Sequence, residues 1–308
     1  MDWPTEIDWA HDRIRHCVRQ TPVMQVDLGF DQPVALKLEH VQHTGSFKSR
    51  GAFNTLLSEP VPAAGLVAAS GGNHGAAVAY AAGTLGHAAQ IFVPDIAGPA
   101  KIALIERQGA VLNVVQGSYA QALEAALDYA ARTGALQIHA YDAPATVAGQ
   151  GTCMAEWEDQ GLEADTVLIA VGGGGLIAGA LGWFDGRRRV IAVEPERCPT
   201  LRAAQTAGTP VEVEVGGVAA NALGARRIGG ICFDLASQHD TRTVLVSEDA
   251  ITEAQHWLWH TFRLLVEPAA AAAMGALRAG VYVPGPGERV AVLLCGGNVD
   301  PDPLARPV

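Results

Sequence analysis

Thr166-Val167-Leu168-Ile169-Ala170-Val171-Gly172-Gly173-Gly174-Gly175-Leu176 is an apolar run that halts at four consecutive glycines and then resumes its apolar character as far as Phe184. No charge interrupts residues 166–184, which raises the question of a membrane span. Four glycines in the middle would break such a helix. A buried strand over 166–171, a tight turn and a helix opening near Leu176 account for the stretch better. That unit is one β-α step of a parallel sheet, and it sets the reading of the rest of the chain.

The same punctuation recurs on both sides. Strand-like apolar runs at 66–69, 90–93 and 111–115 are each followed by an Ala-rich helical segment, at 76–85, 99–108 and 119–132. The alternation continues with 136–140 before a helix over 146–160, and with 190–194 after the glycine unit. The N-terminal residues 7–19 read as a charged helix, and 34–39 alternates as a strand would. Residues 211–230 are Gly-rich and weakly periodic. Residues 248–265 predict a helix with Ile251, Leu258, Phe262 and Leu265 on one face, and 290–294 a last buried strand. There is no internal repeat and no low-complexity linker. The pattern predicts a doubly wound α/β fold with mostly parallel strands, whose ligand site lies at the carboxyl ends of the strands.

Composition narrows the ligand. The chain has 308 residues, 49% apolar and 17% charged, with a formal charge of −11. Its basic residues form no long run, which argues against a nucleic-acid or anionic-membrane surface and for a small molecule. Cys17, Cys153, Cys198, Cys232 and Cys295 are odd in number, scattered and never spaced as C-x-x-C, so neither a disulfide framework nor a structural zinc is expected. No basic region followed by an apolar run opens the chain, and a reduced cytoplasm fits.

Four segments carry candidate chemistry. Lys48 is one of three lysines and lies in Thr44-Gly45-Ser46-Phe47-Lys48-Ser49-Arg50-Gly51, among small residues and an aromatic. An amine so placed is suited to form an imine with a carbonyl cofactor, whereas Lys37 and Lys101 read as members of ordinary amphipathic segments. Gly172 to Gly175, ahead of a helix, offer backbone amides to a phosphate, and equally a tight turn for close helix-sheet packing. The run lacks the spacing of a P-loop and an acidic residue placed for a ribose, which points to a phosphate monoester. Ser70-Gly71-Gly72-Asn73-His74-Gly75 follows another strand and suits a carboxylate and a phenolic oxygen, or else is a glycine turn. Cys295-Gly296-Gly297-Asn298 ends the last strand; alone, its cysteine is as well explained as a small core residue.

In their order along the chain the segments resemble the fold type II family of pyridoxal-phosphate enzymes, in particular its serine/threonine dehydratase and serine racemase branch. The resemblance covers nearly the whole chain and extends to Ala148-Gly149-Gln150-Gly151-Thr152 and Val266-Glu267-Pro268-Ala269. It implies two open-sheet domains like those of the tryptophan synthase β-subunit, with pyridoxal 5'-phosphate in the cleft between them. Residues 1–54 and 144–308 would form a large cofactor-binding domain and 55–143 a small domain closing on substrate. Lys48 would be the Schiff-base lysine, with Phe47 beside the cofactor ring, Asn73 bonding the ring hydroxyl, Gly172, Gly173, Gly174, Gly175 and Leu176 holding the phosphate, and Cys295 facing the pyridine nitrogen. Ser70, Gly71, Gly72, Asn73 and His74 would bind the substrate carboxylate. The same resemblance implies a homodimer.

Several positions depart from relatives. Racemases of the branch carry a serine at the position of Gly71 as a second proton carrier; glycine has no proton to give, which favours elimination over racemisation. Relatives that bind a divalent cation use a Glu and an Asp near 212–218, where this chain has Glu212 but Gly216, so no metal is expected. Ala143 stands where a metal-using racemase has glutamate. A neutral Cys295 thiol cannot keep the pyridine nitrogen protonated, which again favours β-elimination. The reading is therefore dehydration and deamination of a β-hydroxy amino acid such as L-threonine or L-serine, with racemisation or β-replacement on the same scaffold and a non-catalytic phosphate-binding regulator as alternatives. His256 and His260 read as surface features and Arg187-Arg188-Arg189 as a solvated turn. No regulatory module is expected after Asn298.

Overall fold

The computed structural model describes residues 1–95, 97 and 99–299, with the side chains of 99–101 excepted. Ten strands are found among them: β1 (Val23–Val26), β2 (Val34–Lys37), β3 (Leu66–Ala69), β4 (Ala89–Pro94), β5 (Val111–Val115), β6 (Leu136–Gln137), β7 (Thr166–Ala170), β8 (Arg189–Pro195), β9 (Thr243–Val246) and β10 (Val290–Leu293). They form a six-stranded sheet in the order β1-β2-β10-β7-β8-β9 and a four-stranded sheet in the order β5-β4-β3-β6. Every pairing is parallel except β1 with β2. The smaller sheet is thus inserted in the chain between β2 and β7 of the larger one. All five residues of β7 and all four of β10 are buried, as expected of central parallel strands covered on both faces.

The helices follow from the same logic of close cover. Pro144–Asp159 lies against Gly175–Phe184, and a Cβ on Gly179 would come within 2.5 Å of the Gly151 nitrogen. Glycine at this crossing lets the two backbones touch. Pro268–Arg278 carries five successive alanines and is buried on every face, so it has no 3.6-residue period for the sequence to display.

Several boundaries differ from expectation. The N-terminal helix runs over Trp3–Ile14, started by the Asp2 carboxylate accepting from Thr5 N. The strand expected to 39 ends at Lys37, because residues 39–45 make two 3₁₀ turns with Thr44 at φ +59°. Lys48 is the first residue of the helix that follows, Lys48–Ser58. The helix at 248 stops at Phe262, where Arg263 turns left-handed (φ +59°), and Leu265 lies beyond it, 36% exposed.

Lys37 corrects the reading of an ordinary amphipathic segment, for it is fully buried. Its amine donates to Glu156 Oε1 (2.6 Å), Gln160 Oε1 (2.6 Å) and the Thr21 carbonyl (2.9 Å). Arg50 completes the cluster, with Nε 2.6 Å from Glu39 Oε1 and Nη2 2.9 Å from Glu156 Oε2. Burial alone would raise the Glu156 carboxyl, and Arg50 and Lys37 reverse this and hold it below the ordinary range. Two cations thus face two anions under the Lys48 segment.

Candidate functional site

Four strand ends converge here. β2 leads through the 3₁₀ turns to Lys48, β10 to Cys295, β7 to the glycines, and β3 of the smaller sheet to Ser70. An antiparallel bridge between Ser46 and Gly296, and a bond from Phe47 N to the Cys295 carbonyl (3.2 Å), hold the lysine segment against the end of β10.

The half-buried Lys48 amine donates to the Ala140 carbonyl at 2.7 Å and lies 5.0 Å from the centre of the Phe47 ring. Burial lowers its pKa to about 8, against the opposing pull of the Glu267 carboxylate. An appreciable fraction is therefore the free amine near neutrality. The Cys295 thiol is buried, and that burial, reinforced by Glu267, pushes its pKa far up, so it is a neutral group.

At the glycine loop the carbonyls are turned away from the helix: Gly172 O accepts from Thr200 Oγ1 (2.9 Å) and Gly173 O from Gly229 N (3.0 Å). The N–H groups of Gly173, Gly174, Gly175 and Leu176 make no hydrogen bond to a described residue and open the helix Gly175–Phe184. A Cβ at Gly173 would fall 2.4 Å from the Tyr141 ring, and one at Gly172 2.8 Å from Leu223 Cα. Both readings of the loop are satisfied together, since glycine gives close packing on one side and free amides on the other.

Asn73 is the first residue of the helix Asn73–Leu85. Its Nδ2 donates to Glu267 Oε1 (2.8 Å), and its Oδ1 accepts from Asn298 Nδ2 (2.8 Å), which also reaches the Thr44 carbonyl (2.7 Å). Ser70 Oγ accepts from Gly72 N at 3.2 Å, closing the loop on itself. The His74 side chain points away from this loop: its buried Nε2 donates to the Ile138 carbonyl at 3.0 Å, and burial, with the Lys48 charge, drops its pKa to about 3. Any contribution of His74 to an anion-binding loop comes from its backbone. Gly71 is tightly enclosed, since a Cβ there would lie 2.7 Å from Ala97 Cβ and 3.1 Å from Val93 Cγ1.

Sequence reading missed the turn after β6. His139 Nδ1 accepts from Asp142 N (2.8 Å), leaving its proton on Nε2, while Asp142 caps the helix Gly230–Gln238 by accepting from Gly230 N and Ile231 N (3.0 Å each). Tyr141 covers the glycine loop and Ala140 receives Lys48. The only signal was their position after a short strand. Glu212 is exposed and 3.7 Å from Arg226, and a side chain at 216 would meet Arg197, with 2.9 Å from Cβ to Nη2. His256 and His260 are exposed.

A buried-shifted amine beside free helix-terminal amides is the arrangement that an aldehyde cofactor bearing a phosphate requires, and the family model for pyridoxal-phosphate dependent enzymes matches residues 14–296. The chain belongs to this family. It is 34% identical over 304 residues to the phenylserine dehydratase of Ralstonia pickettii, with 96% of this chain and 92% of that protein covered. Among solved structures, the threonine deaminase of T.th. superposes with a TM-score of 0.88 at 32% identity, covering 98% of this chain and 99% of that one. Maize serine racemase superposes with a TM-score of 0.90 at 27% identity, covering 96% and 94%.

The donor set fits the cofactor. Four free amides at a helix N-terminus suit its phosphate, the Lys48 amine its aldehyde, and the neutral Cys295 thiol a pyridine nitrogen. When bound, pyridoxal phosphate supplies an electron sink for the electrons left at a substrate's Cα.

Proposed function

We propose that the protein is a pyridoxal-phosphate-dependent ammonia-lyase that eliminates water from a β-hydroxy amino acid such as L-threonine or L-serine; hydrolysis of the resulting enamine takes a water back and releases ammonium, giving a 2-oxo acid. The observation that carries this reading is the enclosure of Gly71 by Ala97 and Val93. At the position where the racemase branch keeps its second proton carrier, this chain has neither a proton nor the space for one. Lys48 is then the single base: its amine, once freed by substrate, takes the Cα proton while the hydroxyl departs from Cβ. The residue roles belong to the same proposal. Phe47 flanks the ring, Asn73 meets its hydroxyl, Gly172 to Gly175 and Leu176 hold the phosphate, Cys295 faces the nitrogen, and the amides of Ser70, Gly71, Gly72, Asn73 and His74 take the substrate carboxylate.

The division into a large domain of 1–54 and 144–308 and a small one of 55–143 is part of the proposal, supported by the insertion of β3 to β6 between β2 and β7. So are a homodimer, on the family resemblance, and a cytoplasmic location, supported by five free thiols.

The test is 2-oxo acid release from threonine, serine, phenylserine and β-hydroxyaspartate, with chiral chromatography run alongside. Elimination is expected to exceed racemisation, and Lys48→Ala to lose about 10³-fold or more in kcat. D-amino acid forming faster than 2-oxo acid would overturn the reading. Borohydride reduction of the holoenzyme followed by peptide mass mapping is expected to find the cofactor on the peptide containing Lys48.

A further inference from the structure

The helix Gly175–Phe184 begins at the glycine loop and ends beside a second cavity, of about 540 Å³, at the opposite edge of the larger sheet. This cavity opens at the amino ends of β7, β8 and β9, where Asp165, Arg189 and Arg242 adjoin Thr166, Val190 and Thr243. Its walls include four arginines, which belong to two different kinds.

Arg188 is structural: Nε donates to Glu158 Oε1 (2.8 Å), Nη2 to the Leu162 carbonyl (2.8 Å) and Nη1 to the Ala164 carbonyl. Arg187 likewise covers the end of the helix, donating to the Phe184 and Trp183 carbonyls and to Glu158. The solvated turn expected over 187–189 is therefore partly an anchored one. Arg187 also masks carbonyls that would otherwise repel an anion. Arg242 and Arg189 differ. The Arg242 guanidinium lies 5.5 Å from the centre of the Tyr282 ring and makes no hydrogen bond to a described residue. Arg189, with its side chain 64% exposed, gives one N–H to Glu288 Oε1 at 3.2 Å.

A second, independent feature borders the same cavity. Thr241, only 6% exposed, lines the cavity with a buried hydroxyl that has no hydrogen-bond partner. His239 Nε2, on another lining residue, is buried in the same condition, with Asp185 Oδ1 beyond hydrogen-bond reach at 3.7 Å. Unpartnered buried polar atoms are costly to keep, and here they border the same space as the unbonded Arg242 guanidinium and that of Arg189, which gives one N–H to Glu288 and keeps others to donate. The acidic residues of the wall do not cancel this charge. Asp165 is taken by Arg289, at 2.7 and 3.2 Å, Glu288 is shared by Arg189 and Tyr282, and Asp240 is the remaining acidic lining residue against the guanidinium of Arg242.

We propose that this cavity binds a phosphoryl oxyanion, free or carried by a small metabolite, gripped by Arg242 and Arg189 with Thr241 Oγ1 donating a further hydrogen bond. Two guanidinium forks and a hydroxyl match a group with three terminal oxygens, and the volume is that of a metabolite site. It is distinct from the cofactor's phosphate loop, which lies at the other end of the helix.

The experiment is calorimetric titration of the cofactor-loaded enzyme, in phosphate-free buffer, with inorganic phosphate and separately with glycerol 3-phosphate. Saturable binding of at least one probe is expected, weakened about tenfold by Arg242→Ala and about threefold by Thr241→Val. A preference for glycerol 3-phosphate identifies a phosphorylated metabolite as the ligand, and a preference for phosphate identifies the free anion. Arg242 is exposed, so its variant should retain the wild-type melting temperature and turnover without added probe. Binding of neither probe up to about 10 mM, or binding that both variants leave unchanged, overturns the proposal.

Discussion

Lys48 owes its chemistry to where it is held. Burial brings its pKa to about 8, and Glu267 moderates the fall. After cofactor removal, the rate of pyridoxal phosphate capture should therefore rise by about tenfold per pH unit below that midpoint and level off above it. Glu267→Gln removes the charge that favours the ammonium, and stopped-flow absorbance should show the midpoint moving down by about half a unit. A midpoint near that of an ordinary lysine would mean that burial does not set this amine. His74 has the opposite fate, a side chain that stays neutral to about pH 3 from an ordinary value of 6.5. The unfolded chain takes up that proton below about 6.5 while the folded one does not, so stability is complete above 6.5 and declines as pH falls toward 3. His74→Gln keeps a donor for the Ile138 carbonyl without a titrating group. Urea unfolding should show wild type losing about 2 kcal/mol more than the variant between pH 7 and pH 5. Gly71→Ser tests the neighbouring loop: the clash with Ala97 should lower kcat/KM for elimination at least about tenfold without creating racemase activity, and Ala97→Gly should restore part of it.

The strand-to-helix turns carry the candidate site, and they were also what the sequence displayed best. Glycine runs after apolar strands at 70–75 and 172–175 are visible because both the turn and the free amides require glycine, so these two strand-to-helix turns were legible in the sequence. Gly173→Ala checks that coupling. Its Cβ would enter the Tyr141 ring, and the half-saturating concentration of pyridoxal phosphate should rise about tenfold or more by fluorescence titration, with the melting temperature of the cofactor-free protein falling only modestly. What the sequence hid has a common physical cause. Pro268–Arg278 is apolar all round, so it displays no helical period. The turn at 139–142 bears no glycine signature because its order comes from His139 and Asp142 accepting from backbone N–H groups, contacts that depend on partners as distant as Gly230. The site was legible where one segment suffices and illegible where two distant ones must meet.

The larger sheet is built from two separate pieces of chain, with β1 and β2 preceding the inserted smaller sheet and β7 to β10 following it. The Lys37, Arg50, Glu39 and Glu156 cluster joins those pieces: three of its members come from before the insertion and Glu156 from the helix Pro144–Asp159 after it. Lys37 read as a member of an ordinary amphipathic segment because a single strand alternates the same way whether or not a later helix covers it. Glu156→Gln removes one charge from a fully enclosed set and leaves Lys37 facing an amide. Breaking such a pair costs about 3 to 5 kcal/mol, whereas Glu212→Gln, from an exposed pair 3.7 Å apart, should cost under about 1 kcal/mol. The pH dependence follows from the same charge. Glu156 is held below its ordinary carboxyl range, so its contribution is present above the unfolded value near 4.5 and is lost as pH falls through the lower folded one. Denaturant unfolding of wild type and both variants at pH 7 and pH 4 checks this. Glu156→Gln should be the less stable variant at pH 7, and its deficit against wild type should shrink in acid. A deficit no larger than that of Glu212→Gln would show that the two halves of the sheet are joined by apolar packing alone.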